Sequence, residues 1–231
     1  MTAARPDLAA LPGAPESRLS DAVRARLPAA SPPPPWPCRV EAVVWWHRAS
    51  PAALAVLPAA LTDRCRLPRV VGAFVRYLDS PVGPYEEVIG AVMDRPLHVH
   101  VPFLAVDSLA SLHGGRTHWA LPKALAAFTR PAGSRGEVVA EGDGWRVAAR
   151  ARPAGPRLPV VARLRGMQVR ADGHPLSNTC TGYGRARFAR VDVQAGTDLA
   201  GQPGSIAGWL RPGDHLGLVM SARLRVGARR G

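Results

Sequence analysis

The sequence predicts a mainly β fold (α+β), an antiparallel barrel or sandwich carrying a few short helices. Three observations predict it. Short runs rich in Val, Trp and Arg recur along the chain, separated by Gly, Pro and Asp turn signals. Arginines fall on alternate positions of several runs, as at Arg146, Arg150 and Arg152 or Arg185 and Arg187, which suits strands with one solvent face. Helical signals are few and brief. The length of 231 residues fits one domain, and a hydrophobic fraction of 47% supplies a core.

Residues 1–37 are rich in Ala and Pro and end in the run Ser31–Pro35, Trp36, Pro37, so they read as an arm or flexible lead-in. Within them Ser20–Leu27 has the makings of a short helix. The domain proper spans 38–231. Val40–Trp46 is a strand. Ser50 caps a helix from Pro51 through Leu57, with proline in the first turn. Val70–Leu78 is a strand, and Ser80–Pro84 turns it into Tyr85–Met93. Asp94-Arg95-Pro96 turns again into Leu97–Phe103. Asp107 or Ser108 caps a helix that runs through Leu112 and stops at Gly114-Gly115. Glu137–Ala140 and Trp145–Arg152 form a hairpin through Gly142-Asp143-Gly144. Val160–Arg170, Arg185–Val193 and His215–Val226 complete the strands.

Composition narrows the class. No apolar run reaches the roughly 18 residues of a membrane span. Arg5, Asp7, Pro12, Pro15 and Glu16 interrupt the place of a secretory signal, so a cytoplasmic protein is expected. Cys38, Cys65 and Cys180 are scattered, which suits neither a disulfide framework nor a zinc ribbon. The net charge of +13 invites a nucleic-acid reading. The arginines are dispersed, however, and no helix-turn-helix, zinc finger or RNA-binding signature occurs, so nucleic acid and membrane are not expected partners.

The basic residues divide unevenly: 29 are arginine and one is lysine. In a chain where arginine serves wherever a positive charge suffices, the single Lys123 stands in the apolar stretch Trp119–Phe128. Arginine keeps its proton near neutral pH, whereas a desolvated lysine can lose it and act as a nucleophile. The plain alternative is one surviving lysine at the edge of a short helix.

Two segments bear on that choice. Ser80-Pro81-Val82-Gly83-Pro84-Tyr85-Glu86-Glu87-Val88 is followed by Gly115-Arg116-Thr117-His118-Trp119-Ala120-Leu121-Pro122-Lys123-Ala124-Leu125. In series they resemble the acetoacetate decarboxylase family, which pairs a Gly-x-Tyr-x-Glu turn with a later Gly-Arg-Glu…Pro-Lys-Lys motif. The resemblance runs from about Cys38 to the C-terminus. It implies an antiparallel β-barrel or cone, homo-oligomers and no metal or organic cofactor, since the lysine iminium is itself the electron sink.

Carried over by residue, the resemblance places Lys123 on the Schiff-base lysine, Glu87 on the glutamate of the turn and Arg39 on an active-site arginine. Arg39 would hold a substrate carboxylate by charge-assisted hydrogen bonds; its plain alternative is a surface arginine. Glu87 would orient that arginine or move a proton. Tyr85, Trp119, Leu121 and His118 are the candidates to line the substrate pocket. Glu86 should point away from Glu87 by strand alternation. Three departures stand out: Ala124 replaces the second lysine, Thr117 replaces the motif glutamate, and a second acid expected on the strand before the turn falls at about Gly72.

The chemistry explains the residue types. A β-keto acid loses CO2 readily once its ketone has become an iminium, because the electrons left behind enter an enamine. The amine must be neutral to attack, and only about 0.1% of an ordinary lysine is neutral at pH 7.4. With Ala124 in place of a neighbouring cation, the expectation is that burial by Trp119, Leu121, Leu125 and Phe128 favours the neutral amine, with Lys123 at the floor of an apolar pocket. The expected activity is decarboxylation of a small keto acid. Aldolase-dehydratase chemistry on 2-oxo acids, or non-catalytic binding of a small acid, are the alternatives. His98-x-His100 has a spacing a metal could use, but no set of ligands completes it, and none is expected.

Overall fold

The computed structural model describes residues 8, 11–59, 68–95, 97–130 and 136–229. Ten strands form one sheet: β1 (Trp36–Arg48), β2 (Arg69–Asp79), β3 (Tyr85–Arg95), β4 (His98–Val106), β5 (Lys123–Leu125), β6 (Ala127–Thr129), β7 (Glu137–Gly142), β8 (Trp145–Val169), β9 (Pro175–Thr197) and β10 (Gly213–Val226). Their order is β5-β4-β3-β2-β1-β10-β9-β8-β7-β6. The far end of β8 also pairs in parallel with the start of β4, His98 opposite Arg165. The strands from β4 round to β8 therefore close into a cone-like ring. Among the described residues three α-helices join them: α1 (Asp21–Ala25), α2 (Pro51–Ala55) and α3 (Leu109–Trp119). No helix among the described residues is long and apolar enough to cross a membrane.

Strand parity divides the interior. Odd positions of β1 and even positions of β2 and β3 (Trp45, Phe74, Val88, Val92) enter one core with Phe103, Trp145 and Val191. The complementary positions (Cys38, Val40, Val75, Tyr77, Tyr85) enter a second core with Leu104, Val106, Leu112 and Trp119. The wall made by β1–β3 is thus apolar on both faces. This explains why these segments read as near-continuous hydrophobic runs rather than clean alternations.

Several elements differ from the sequence expectation. The strand at 145–152 does not stop: β8 continues to Val169 through Pro153, Pro156 and Pro159. A register shift between Ala154 and Leu158 absorbs the interruption, as bulges do. β9 likewise extends well beyond Arg185–Val193. Helix α2 ends at Ala55, short of Leu57. Helix α3 does not stop at Gly114-Gly115 but runs through both to Trp119. Two neighbours need those glycines. A Cβ at Gly114 would lie 2.5 Å from the Trp36 ring, and one at Gly115 would lie 2.5 Å from Cδ and Cε of Lys123. Lys123 itself opens a strand, not a helix edge. Cys65 and Pro96 lie outside the described residues.

The described part of the Pro/Ala-rich arm packs against the domain. Ala14 N–H donates to Pro102 O at 2.7 Å. Buried Glu16 accepts hydrogen bonds from Ser205 Oγ at 2.7 Å and from the Ile206 N–H. Ser20 caps α1 by accepting from the Val23 N–H.

Candidate active site

Helix α3 sets up the site. Ser108 caps its N-terminus by accepting from the Ser111 N–H, which leaves the Ser111 side chain free to point inward from the first turn. At the other end Ala120 takes a left-handed conformation, φ 52°. The chain reverses there, Leu121 N–H reaches back to Gly115 O, and β5 lies down in parallel along β4 with Lys123 opposite Leu104. Buried Arg116 fastens this reversal. Its guanidinium donates to the carbonyls of Lys123 and Ser17, each at 2.7 Å, and of Leu8. Burial without an acidic partner pulls it down to about 10, so it stays charged at neutral pH.

The Lys123 side chain enters the second core and is 3% exposed. Its Nζ donates to Glu87 Oε2 at 2.6 Å and to Ser111 Oγ at 3.0 Å, and lies 5.3 Å from the centre of the Tyr85 ring. The other Glu87 oxygen accepts from the Tyr77 hydroxyl at 3.1 Å. The Tyr77 and Tyr85 rings stack, 4.1 Å apart and 12° from parallel. Burial, with the Glu87 carboxylate adding to it, pushes both phenols well above their ordinary value. The same two causes push the Cys38 thiol up to about 12 and the Cys180 thiol up to about 11. Around Nζ the structure therefore assembles a carboxylate, a serine hydroxyl and a tyrosine ring, backed by protonated phenols and thiols. Chemically this is a buried primary amine with an acid–base partner in direct contact.

The sequence from residue 21 to 155 matches the model of the family described as acetoacetate decarboxylase (ADC). The chain belongs to the acetoacetate decarboxylase family. No curated protein sequence matches it. Its fold is similar to a solved acetoacetate decarboxylase (TM-score 0.61, 15% identity, covering 92% of this chain and 97% of that one). It is also similar to the acetoacetate decarboxylase from Legionella pneumophila (0.56, 19%, 89% and 93%). A third similar fold is the enduracididine biosynthesis enzyme MppR in complex with pyruvate (0.56, 15%, 87% and 91%).

Within this acetoacetate decarboxylase fold, the residues singled out in the sequence part company. Lys123, Glu87 and Tyr85 come together. Glu86 faces away as expected, and Arg130 grips it at 2.9 Å. Arg39 does not join them. It is exposed, on the face of β1 opposite Cys38 and Val40, with Arg223 alongside across β10. Trp119 and Leu121 pack in the second core, the one that Lys123 enters, and Trp119 meets Trp36 edge to face at 4.9 Å and donates to Gly227 O. His118 is hydrogen-bonded to Ser31 at 2.9 Å, and burial lowers its basicity. Phe128 does not shield the amine, because it packs against Phe74 in the first core.

Two departures from the family motif change meaning. Ala124 follows Lys123 on a strand, so its side chain enters the first core on the opposite face. A cation at 124 would leave the strand away from the Lys123 amine. Gly72 also faces the first core, where a Cβ would collide with the Trp45 ring at 2.1 Å. Ala73, Val75 and Tyr77 are the β2 positions that face the lysine side. Reading residues alone missed Ser111 and Tyr77, and the two thiols as well. Tyr77 shares parity with Val75 on a strand paired to the turn, which is a legible signal; Ser111 lies in the first turn of the expected helix, but nothing in the sequence says that this face of the helix meets Lys123.

Proposed function

We propose that this protein is a Schiff-base enzyme acting on a small keto acid, with decarboxylation the favoured reaction. One observation carries the reading: the only lysine of the chain is buried with its Nζ 2.6 Å from a carboxylate. That contact gives the ammonium proton a direct acceptor. Glu87 takes the proton, and the neutral amine attacks the ketone carbon of the substrate. The carbinolamine loses its hydroxyl as water, with a proton from Glu87, and becomes an iminium. Cleavage of the carbon–carboxylate bond sends its electron pair into the iminium, releasing CO2 and leaving an enamine. Protonation at carbon and hydrolysis return the ketone and the free amine. Tyr77 holds one Glu87 oxygen, so the other stays aimed at Nζ. Ser111 accepts a second hydrogen bond from the amine. Both are positioning residues.

The similarity of the fold to an enzyme solved with pyruvate supports a second reading, condensation through a lysine enamine. In that case the iminium of a 2-oxo acid keeps its carboxylate and gives up a proton from C3 to Glu87, and the resulting enamine attacks an aldehyde.

Borohydride trapping with acetoacetate and with pyruvate, read by peptide mass spectrometry, tests the shared step. The expected result is a reduced adduct on Lys123, absent in Lys123→Gln. An unmodified Lys123 with both compounds would overturn Schiff-base chemistry. Product analysis then separates the two reactions: CO2 and ketone for decarboxylation, a new carbon–carbon bond for condensation.

A further inference from the structure

A cavity ringed by five arginines lies on the other side of the sheet from Lys123. A cup of about 340 Å³ opens at the end of the first core. Its floor is apolar, built from Phe74, Val43, Val138 and Val219. Its rim carries Arg76, Arg130, Arg157, Arg185 and Arg187, with Glu41 the one acid among the described residues that line it. These arginines come from β2, β8, β9 and the segment after β6. Their convergence is a product of strand parity and not of any cluster in the sequence.

The rim charges are poorly compensated. Glu86 serves Arg130 at 2.9 Å and Arg76 at 3.6 Å. Toward described residues Arg187 spends only Nε, on the carbonyl of Gly155. The side chains of Arg157 and Arg185 make no ion pair or hydrogen bond with any described residue. Arg157 also sits in the register shift of β8, beside Gly155 at φ 74°. A bulge there re-aims a side chain that regular pairing would have sent elsewhere. Guanidinium groups held around one concavity repel each other until an anion joins them, and their planar forks match phosphate and carboxylate oxygens in pairs.

We infer that this cup binds a small organic polyanion: at least two negative charges on the Arg157–Arg185–Arg187 rim, with the carbon body on the Phe74 floor. The volume suits a small molecule. Phosphate esters and di- or tricarboxylates share the required chemistry. The site is separate from Lys123 and does not depend on the Schiff-base reading.

Isothermal titration with pyrophosphate and with citrate, beside acetate as a monoanion, tests it. One equivalent of a polyanion should bind and acetate should not. Tighter binding of pyrophosphate assigns the cup to phosphates, and tighter binding of citrate to polycarboxylates. The double variant Arg157→Ala/Arg185→Ala should weaken binding at least tenfold. Arg69→Ala, an exposed arginine at the far end of β2, should change it less than twofold. The inference is overturned if neither polyanion binds at millimolar concentration, or if Arg69→Ala weakens binding as much as the double variant. It is equally overturned if duplex DNA binds more tightly than either and loses that binding in the same double variant.

Discussion

Lys123 and Glu87 lie 36 residues apart in sequence and 2.6 Å apart in the fold, each almost completely buried. Two strands on either side of β4 bring them together, β3 carrying the acid and β5 the amine. Breaking a buried pair from one side strands the other charge, at a cost of about 3–5 kcal/mol, whereas removing both can be close to neutral. Lys123→Met should therefore lower the urea midpoint more than Lys123→Met/Glu87→Leu does. A double variant less stable than the single would show that the pair is not the unit that matters.

Tyr77 ties Glu87 from the other side. Tyr77→Phe removes one hydrogen bond to a carboxylate and little volume. The expected loss is about 1.5–3 kcal/mol. Borohydride trapping at Lys123 should slow without disappearing. Unchanged stability and unchanged trapping would remove Tyr77 from its positioning role.

Gly115 lets the lysine stem pass under α3. A methyl there meets Cδ and Cε of Lys123 at 2.5 Å, so Gly115→Ala should displace the amine from Glu87 and Ser111. We expect circular dichroism to stay native while trapping of acetoacetate falls at least tenfold. Retained trapping would mean the stem bends aside freely.

Arg116 links the arm, α3 and β5 through three carbonyls. Arg116→Met leaves those acceptors unserved in a buried place and should cost about 3 kcal/mol. Limited proteolysis should then cut between residues 11 and 35, and the wild-type arm should resist. Equal resistance in both proteins would show that the arm is held by its other contacts.

Alkaline pH should destabilise the fold early. Cys38 rises from its ordinary value of 9.0 to about 12, Cys180 rises to about 11, and Tyr77 and Tyr85 rise as well. Above pH 9 the unfolded chain sheds these protons while the folded chain keeps them. The unfolded state then binds fewer protons and stability falls with pH, by up to about 1.4 kcal/mol per pH unit for each group. The stabilisation is complete below pH 9 and is lost as pH climbs toward the folded values. Urea midpoints at pH 8 and pH 10.5 give the check, and Cys38→Ala/Cys180→Ala should shrink the difference between them.

Part of the candidate site was legible before folding. One lysine among 29 arginines, set in an apolar stretch, marked Lys123, and the Tyr-x-Glu turn marked Glu87 and Tyr85. The β class was legible too, because turn residues and short apolar runs are local signals. Which face each side chain occupies was not, since a one-residue difference in register sends it through the sheet. That is why Arg39 lies outside beside buried Cys38, why Ala124 sits in a different core from Lys123, and why Gly72 offers no place for an acid near the amine. The partners of the amine came from strand and helix ends far apart in the chain. Ser111 reached it from the first turn of α3, and α3 ran on through two glycines whose missing side chains made room for Trp36 and Lys123. The propensity of glycine to end a helix is a local preference of about 1 kcal/mol, and the packing of a tryptophan and a buried lysine stem outweighed it.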